Sequence, residues 1–170
     1  LGNEMREKMA TGERSYLIHQ FQSTSTSVIG KQVQVPLNFK HPVTCLFWRA
    51  TKDTNSDKAI FQEPVDINQC QLSANGVDLT PWLDGKYFKY VTNFQSINRK
   101  EPSDYGYYIY SWAKHPLSVQ PTGSLNFSRL ENATLKLNFD DNHNHKSVCV
   151  NAINFNVLMF TSGMAGLLFQ

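Results

Sequence analysis

The sequence predicts an all-β protein in which two antiparallel sheets face each other, preceded by one short helix. Two observations lead to this fold class: apolar residues alternate with polar ones in many short runs, and long polar connections separate these runs. The chain of 170 residues, 41% of them hydrophobic, is long enough to enclose one full core. This pattern is typical of a jelly roll, so we expect an antiparallel sandwich of eight strands.

The first segment, NEMREKMA, has the pattern of a helix. Glu4 and Lys8 are spaced to form an ion pair one turn apart. Asn3 is the expected N-cap, and Gly12 is expected to end the helix. The stretch that follows, QSTSTSVIGK, has the composition of a loop or a hairpin tip.

Alternation with a period of two begins in QVQVPLNFK, where Val33, Val35, Leu37 and Phe39 share one face of a predicted strand. Pro36 has no backbone N–H to donate to a ladder, so this strand is expected at a sheet edge. The next run, VTCLFWRA, predicts a second and more deeply buried strand.

Further along, residues 51–70 predict a long surface connection, and Asn75-Gly76 predicts a tight turn. The segment GKYFKYVTNFQ fits either a strand or a short helix, because its apolar residues suit both periods. Strands are expected in YGYYIYSWA and over residues 134–139, with DDNHNHK as a turn. In the closing run, one strand face carries Ile153, Phe155, Val157 and Met159, and the other carries Asn154 and Asn156.

Charge and cysteine usage exclude several classes of function. Sixteen basic and fourteen acidic residues give a net charge of +2 with no long block of one sign, which argues against nucleic-acid binding. The apolar runs are too short to cross a bilayer. Cys45, Cys70 and Cys149 are widely separated, so we interpret them as core residues and not as a disulfide framework or metal knuckle.

Few residues suggest chemistry. His143 and His145 have the spacing of two metal ligands on a strand, but their Asp and Asn neighbours favour a solvated turn. Asp78, Asp84 and Asp104 stand beside turn residues, where carboxylates usually bond the local backbone. We therefore predict no catalytic residue, no metal and no cofactor.

Two further patterns have a structural and a functional interpretation. Asn126-Phe127-Ser128 and Asn132-Ala133-Thr134 match the N-glycosylation acceptor pattern, which also arises often by chance. Aromatic residues could form a sugar-binding platform, but they more often fill a core or an interface. These aromatic residues are Trp48, Trp82, Tyr107 to Tyr110 and Trp112.

The stretch HPLSVQPTGSLNFSRLENATLKL resembles the motif Gln-Pro-Ser-Gly-x-x-Asn-x-Ser-Arg in the C-terminal jelly roll of the major capsid proteins of nucleocytoplasmic large DNA viruses. The matching positions are Gln120, Pro121, Gly123, Asn126, Ser128 and Arg129, with Thr122 in place of the usual Ser. LNFKHPVTCLFW is similar to the family's Leu-Asn-Phe-x-His-Pro-Val strand pair and adds Asn38, His41 and Pro42. Three more segments, GKYFKYV, YYIYSWAKHP and AINFNVLMFTSGMAGLLF, are similar to family segments in the same order.

The resemblance implies a structural protein of a large icosahedral DNA virus capsid, and not an enzyme. Family members carry two jelly rolls in tandem, and three copies form a capsomer of pseudo-sixfold outline. The implied partners are two further copies, neighbouring capsomers and minor capsid proteins, with an internal membrane nearby but not spanned and no direct contact with nucleic acid. The implied location is the virion capsid, assembled in the host cytoplasm.

The chain begins at Leu1 and not at Met, which is compatible with a piece of a longer product. The resemblance implies that it corresponds to the second jelly roll only. Residues 1–30 are then a helix and linker from a missing first jelly roll, and residues 31–170 are the C-terminal jelly roll. The pair Met5 and Met9 would lie at the joint. Two other functions stay open: a jelly-roll carbohydrate-binding module and a cupin-like metalloprotein.

The residues of the motif suit an architectural role. Pro121 fixes a turn and Gly123 permits positive φ. Asn126, Ser128 and Arg129 offer side-chain hydrogen bonds to loop backbone. In a ring, each contact joins two different surfaces, so loops held in one shape would allow the ring to close.

Overall fold

The structure is a computed structural model that describes residues 2–52, 63–97, 106–140 and 146–169. Its helices are α1 Asn3–Thr11 and α2 Thr92–Ile97, with a π-helical turn Tyr87–Val91 directly before α2 and a 3₁₀ turn Phe127–Arg129. Its strands are β1 Arg14–Val28, β2 Gln32–Pro36, β3 Pro42–Lys52, β4 Gln69–Ala74, β5 Val77–Asp78, β6 Leu83–Asp84, β7 Tyr108–Ser111, β8 Leu125–Asn126, β9 Ala133–Asn138, β10 Lys146–Thr161 and β11 Met164–Leu167.

These strands form two antiparallel sheets. The first sheet has the order β1-β10-β3-β7, with β11 beside β10 and β8 beside β3. The second sheet has the order β2-β9-β4-β5, with β6 beside β4. The predicted jelly-roll sandwich is confirmed, but the predicted count of eight strands is wrong, since the described residues form eleven. Eight of these strands form the two four-stranded orders given above, and the short strands β6, β8 and β11 pair beside them.

The core lies between the two sheets and is built by alternate residues of each strand. Val35, Leu135 and Leu72 face it from the second sheet, and Trp48 and Val150 face it from the first; all five are buried. Each side chain of this size contributes roughly 1.5–3 kcal/mol on burial. The buried face predicted for QVQVPLNFK is therefore confirmed.

The predicted loop QSTSTSVIGK is wrong, because most of it belongs to β1. This strand pairs with β10 in continuous register from Arg14 to Val28. The Ser and Thr residues of β1 alternate between the two faces, and Ser25 Oγ lies 3.3 Å from Ser147 Oγ across the strand pair. A polar composition suggested a loop, whereas long-range pairing with β10 satisfies the backbone of a strand.

Local signals at the N-terminal helix are largely confirmed. Lys8 Nζ lies 2.8 Å from Glu4 Oε1, and the helix ends at Gly12. Asn3 is not the N-cap: the helix begins one residue earlier than expected, with Gly2 at the cap position and no side-chain cap. The side chain of Met9 lies outside the described residues.

Two turn and edge predictions are also confirmed. β2 is an edge strand of the second sheet, so the missing backbone N–H of Pro36 does not interrupt the hydrogen bonds between interior strands. Asn75 and Gly76 have φ values of 52° and 77°, which is the left-handed pair that a tight hairpin between β4 and β5 needs. The ambiguous segment after Gly85 is helical. Of the predicted turn DDNHNHK, residues 141–145 lie outside the described residues, and Lys146 begins β10.

The alternation of β10 is confirmed, and the structure shows which face is buried. Val148, Val150 and Ala152 point into the core, so Asn154 and Asn156 follow them inward and are buried. The apolar series from Ile153 to Met159 therefore lies on the outer face of the first sheet. The described helices are too short or too polar to span a membrane.

Candidate functional site

The motif residues 120–129 lie between β7 and β9, and we call them the motif loop. Gly123 has φ of +145°, a left-handed value that favours glycine. A Cβ placed on Gly123 would lie 2.5 Å from the backbone carbonyl oxygen of Trp112. The motif loop therefore passes so close to the end of β7 that only glycine fits at this position.

Thr122 closes the start of the motif loop. Its hydroxyl accepts a hydrogen bond from the backbone N–H of His115 at 2.9 Å and donates to the carbonyl oxygen of His115 at 3.2 Å. Serine carries the same hydroxyl, so the departure from the usual Ser preserves both interactions.

Strand β8 attaches the motif loop to the first sheet. Asn126 pairs with Pro42, and Leu125 pairs with Val43. The Oδ1 atom of Asn126 accepts a hydrogen bond from the backbone N–H of Ser128 at 3.0 Å and caps the 3₁₀ turn. The predicted role of Asn126 as a backbone partner has the geometry that we expected.

His41 is the meeting point of the two matched segments. Its backbone N–H donates to Ser128 Oγ at 2.8 Å, and its carbonyl oxygen accepts from the backbone N–H of Phe127 at 3.0 Å. His41 has φ of 69°, an uncommon value for a residue with a side chain. The structure thus brings Ser128, Asn126, His41 and Pro42 together into one interlocked corner.

Other motif residues face solvent. Gln120, Pro121 and Arg129 are exposed, and the Arg129 side chain makes no hydrogen bond within the described part of the chain. The expectation that Arg129 bonds the loop backbone is therefore wrong. Asn38 is also exposed and borders a shallow groove of about 470 Å³ between residues 37–40 and 127–133.

Aromatic rings support the motif loop from below. Phe127 is buried, with its ring centroid 5.6 Å from that of Trp112 and 6.0 Å from that of Phe39. Tyr110 continues the series at 5.1 Å from Trp112. Edge-to-face pairs of this kind fix ring positions, so the corner rests on a packed base. Trp48 and Tyr108 are buried, in agreement with the core interpretation, whereas Trp82 is 43% exposed and does not belong to the core.

Sequence reasoning missed a set of buried amides that hold the loops and the C-terminal segment. Gln22 Nε2 donates to Asn154 Oδ1 at 2.8 Å and to the carbonyl oxygen of Lys40 at 2.7 Å. Asn156 Nδ2 donates to the carbonyl oxygen of Phe169 at 2.8 Å. The sequence feature that could have predicted them is the even-numbered spacing of Asn154 and Asn156 from Val148 and Val150, which places these amides on the same strand face as the core residues. A polar group buried on that face needs a hydrogen-bond partner.

Cys45 and Cys70 are buried, as predicted for core residues, and are unsuited to nucleophilic chemistry, whereas Cys149 is only half-buried. Burial raises the pKa of Cys45 to about 11 and that of Cys70 to about 12. Burial also raises the pKa of Tyr108 well above its ordinary value. These groups are therefore protonated at neutral pH, and all three cysteines of the chain are free.

The carboxylates act in turns and ion pairs. Asp84 Oδ1 accepts from the backbone N–H of Lys86 at 2.8 Å, and Asp78 Oδ1 lies 3.3 Å from Lys136 Nζ. Asp104, His143 and His145 lie outside the described residues. Among the described residues, no group of three His, Cys, Asp or Glu side chains could hold a metal.

The larger opening, of about 660 Å³, is lined by charges of both signs. Lys52 pairs with Glu63 at 2.7 Å, and Lys89 pairs with Asp66 at 3.3 Å. Since these charges face each other, they do not converge on a site for a charged ligand.

The fold and the interlocked corner define a structural jelly-roll protein whose matched residues hold loops in place. The family described as large eukaryotic DNA virus major capsid protein matches residues 5–166, and the chain belongs to this family.

Relatives and solved structures support the same assignment. The major capsid protein of Pyramimonas orientalis virus is 30% identical over 191 residues, covering 100% of this chain and 46% of the relative. That of Phaeocystis pouchetii virus is 40% identical over 113 residues, covering 64% of this chain and 21% of the relative. PBCV-1 VP54 superimposes with a TM-score of 0.81 at 25% identity, covering 100% of this chain and 55% of that chain. This chain thus spans about half the length of the relatives that it matches along its whole length.

Proposed function

We propose that this chain is a building block of trimeric capsomers with pseudo-sixfold outline in the shell of a large icosahedral DNA virus. The observation that carries the proposal is the interlocked corner, in which Ser128 and Phe127 bond both backbone groups of His41. The corner combines two of the matched segments and holds them by hydrogen bonds and packing. This arrangement suits a surface that must keep one shape in every copy.

We also propose that this jelly roll is one of two in the whole product. The boundary expected at residue 30 then moves towards the N-terminus, because β1, Arg14–Val28, pairs along its full length with β10 of this module. The coverage of about half of the matched relatives supports this division. β1 belongs to the first sheet, so the covalent joint would lie in or before α1. The proposed partners are neighbouring capsomers and minor capsid proteins, with an internal membrane nearby. The proposed site of assembly is the host cytoplasm.

The oligomeric state tests the proposal directly. The purified chain is examined by light scattering coupled to size-exclusion chromatography, followed by negative-stain electron microscopy. We expect a mass of three copies and particles with a threefold outline. A chain that is monomeric at every concentration at which it stays soluble would refute the trimer for this module.

A further inference from the structure

The opening of about 660 Å³ carries charges that cancel each other. Lys52 Nζ lies 2.7 Å from Glu63 Oε2, and Lys89 Nζ lies 3.3 Å from Asp66 Oδ1. Its described lining residues include three lysines and four carboxylates, so the formal charges almost sum to zero. An ionic ligand would have to compete with these internal partners. The opening therefore favours a ligand without net charge.

The lining of this opening is rich in hydrogen-bonding groups. Asn68 Nδ2 donates to Asp140 Oδ1 at 2.7 Å, and Asp84 Oδ1 accepts from the backbone N–H of Lys86 at 2.8 Å. A carboxylate has about four acceptor positions and an amide oxygen has two, so these side chains can accept further hydrogen bonds. Most small-molecule pockets are lined by apolar groups, whereas this lining suits a ligand that carries many hydroxyls.

The floor of the opening is fixed by the fold itself. The Tyr108 hydroxyl accepts a hydrogen bond from the backbone N–H of Ile67 at 2.9 Å and donates to Asp66 Oδ1 at 3.4 Å. The carbonyl oxygen of Asn68 accepts from the backbone N–H of Gly85 at 2.6 Å. Since these groups are already ordered, a ligand that binds there loses little affinity to ordering the protein.

An aromatic ring stands beside these polar groups. Tyr90 lines the opening and is 50% exposed. Lys89 Nζ lies 5.9 Å from the centroid of the Tyr90 ring, a cation–π contact that restrains the ring. The C–H groups on one face of a sugar ring are apolar, and its hydroxyls point outward around the rim. A sugar can therefore stack on an exposed aromatic ring while polar neighbours bond its hydroxyls.

We propose that this opening binds a neutral carbohydrate. The Tyr90 ring packs against one sugar face, and the side chains of Asp66, Asn68 and Asp84 bond the hydroxyls. The Asp66 side chain is 87% exposed and can reach such a ligand. Ligand pockets usually enclose roughly 300–1,000 Å³, so the opening has room for a short oligosaccharide. This inference goes beyond the proposed function and does not depend on the trimer.

The first experiment uses the 170-residue chain, fluorescently labelled, on an array that carries neutral, sialylated and sulfated glycans. We expect binding to neutral glycans. Isothermal titration calorimetry with the neutral glycan that gives the strongest array signal then measures the dissociation constant. This constant should be the same at about 0.05 M and about 0.5 M salt, because salt does not screen hydrogen bonds and stacking with an uncharged ligand.

Four variants locate the ligand. Tyr90→Ala removes the ring and should weaken binding by about tenfold, whereas Tyr90→Phe keeps the ring and should bind like the wild type. Asp66→Ala removes hydroxyl acceptors and should also weaken binding by about tenfold. Phe21→Ala is the matched control, because Phe21 is a 60% exposed aromatic residue that does not line the opening. Circular dichroism verifies that each variant is folded.

Three results would overturn the inference. The wild-type chain could leave every neutral glycan unbound, or its binding could be confined to sialylated or sulfated glycans and fall with salt. Equal affinity of the wild type, Tyr90→Ala and Asp66→Ala would place the carbohydrate elsewhere on the molecule. None of these results affects the proposed trimer, and a monomeric chain that binds neutral glycans through Tyr90 and Asp66 would support the carbohydrate site while refuting the trimer.

Discussion

Gly123 offers a sharp test of how the motif loop is held. Replacing it by Ala places a Cβ 2.5 Å from the backbone carbonyl oxygen of Trp112, at φ of +145°. Positive φ costs a residue with a side chain roughly 1–3 kcal/mol, and displacing backbone from the clash adds to this. We expect Gly123→Ala to lower the free energy of unfolding by about 2–4 kcal/mol.

The assay is urea unfolding followed by circular dichroism and Trp fluorescence. For a domain of this size, each kcal/mol shifts the melting temperature by about 2–4 °C, so the loss corresponds to about 4–16 °C. Gly30→Ala is the matched control, because Gly30 has φ of +96° and open space around its Cβ position. It should show the backbone strain alone, without the clash.

The comparison between the two variants decides the reasoning. If Gly123→Ala is no less stable than Gly30→Ala, close passage of the motif loop against Trp112 does not constrain the fold. If it loses less than about 0.5 kcal/mol, the conformation of Gly123 itself is not required.

Three other predictions concern the same loop and the core. Thr122→Val removes the hydroxyl that bonds His115 and should cost about 0.5–1.5 kcal/mol in urea unfolding, whereas Thr122→Ser should match the wild type. Arg129→Ala should leave the urea midpoint unchanged, since Arg129 is exposed and makes no hydrogen bond within the described part of the chain, but it should reduce the yield of trimers in light scattering. A lowered midpoint together with a normal yield of trimers would show instead that Arg129 stabilises the fold and not the trimer. Burial raises the pKa of Cys45 and Cys70 from 9.0 to about 11 and about 12, so the thiols stay protonated in the folded chain while those of the unfolded chain ionise. The contribution of the two protonated thiols to the free energy of unfolding is complete below pH 9. Between pH 9 and 11, the free energy of unfolding, measured with reductant present, should fall by up to about 1.4 kcal/mol per thiol for each pH unit. A constant free energy of unfolding over that range would contradict the burial of these thiols.

The corner at His41 explains how two segments far apart in sequence behave as one site. Each segment needs the other for one backbone N–H: that of His41 donates to Ser128 Oγ, and that of Phe127 donates to the carbonyl oxygen of His41. Loss of one partner therefore exposes groups on the other. This mutual dependence explains why a loop without reactive side chains needs specific residues.

The sequence by itself determined the features that arise from neighbouring residues. The alternation in QVQVPLNFK, the Asn75-Gly76 turn and the Glu4–Lys8 pair depend on contacts within a few positions, and the structure contains all three. The matched motif also indicated the capsid family, because its Gly and hydrogen-bonding residues keep a fixed spacing along one loop.

Only the tertiary structure decided which residues each strand face meets. The polar run of β1 is a strand because β10 pairs with it, and a partner more than 100 residues away leaves no local signal. Asn154 and Asn156 lie inward because the preceding core residues set the parity of β10, although apolar neighbours alternate with them. The same long-range geometry leaves Phe21 and Phe94 in solvent, since a hydrophobic pattern records which residues are apolar and not what covers them.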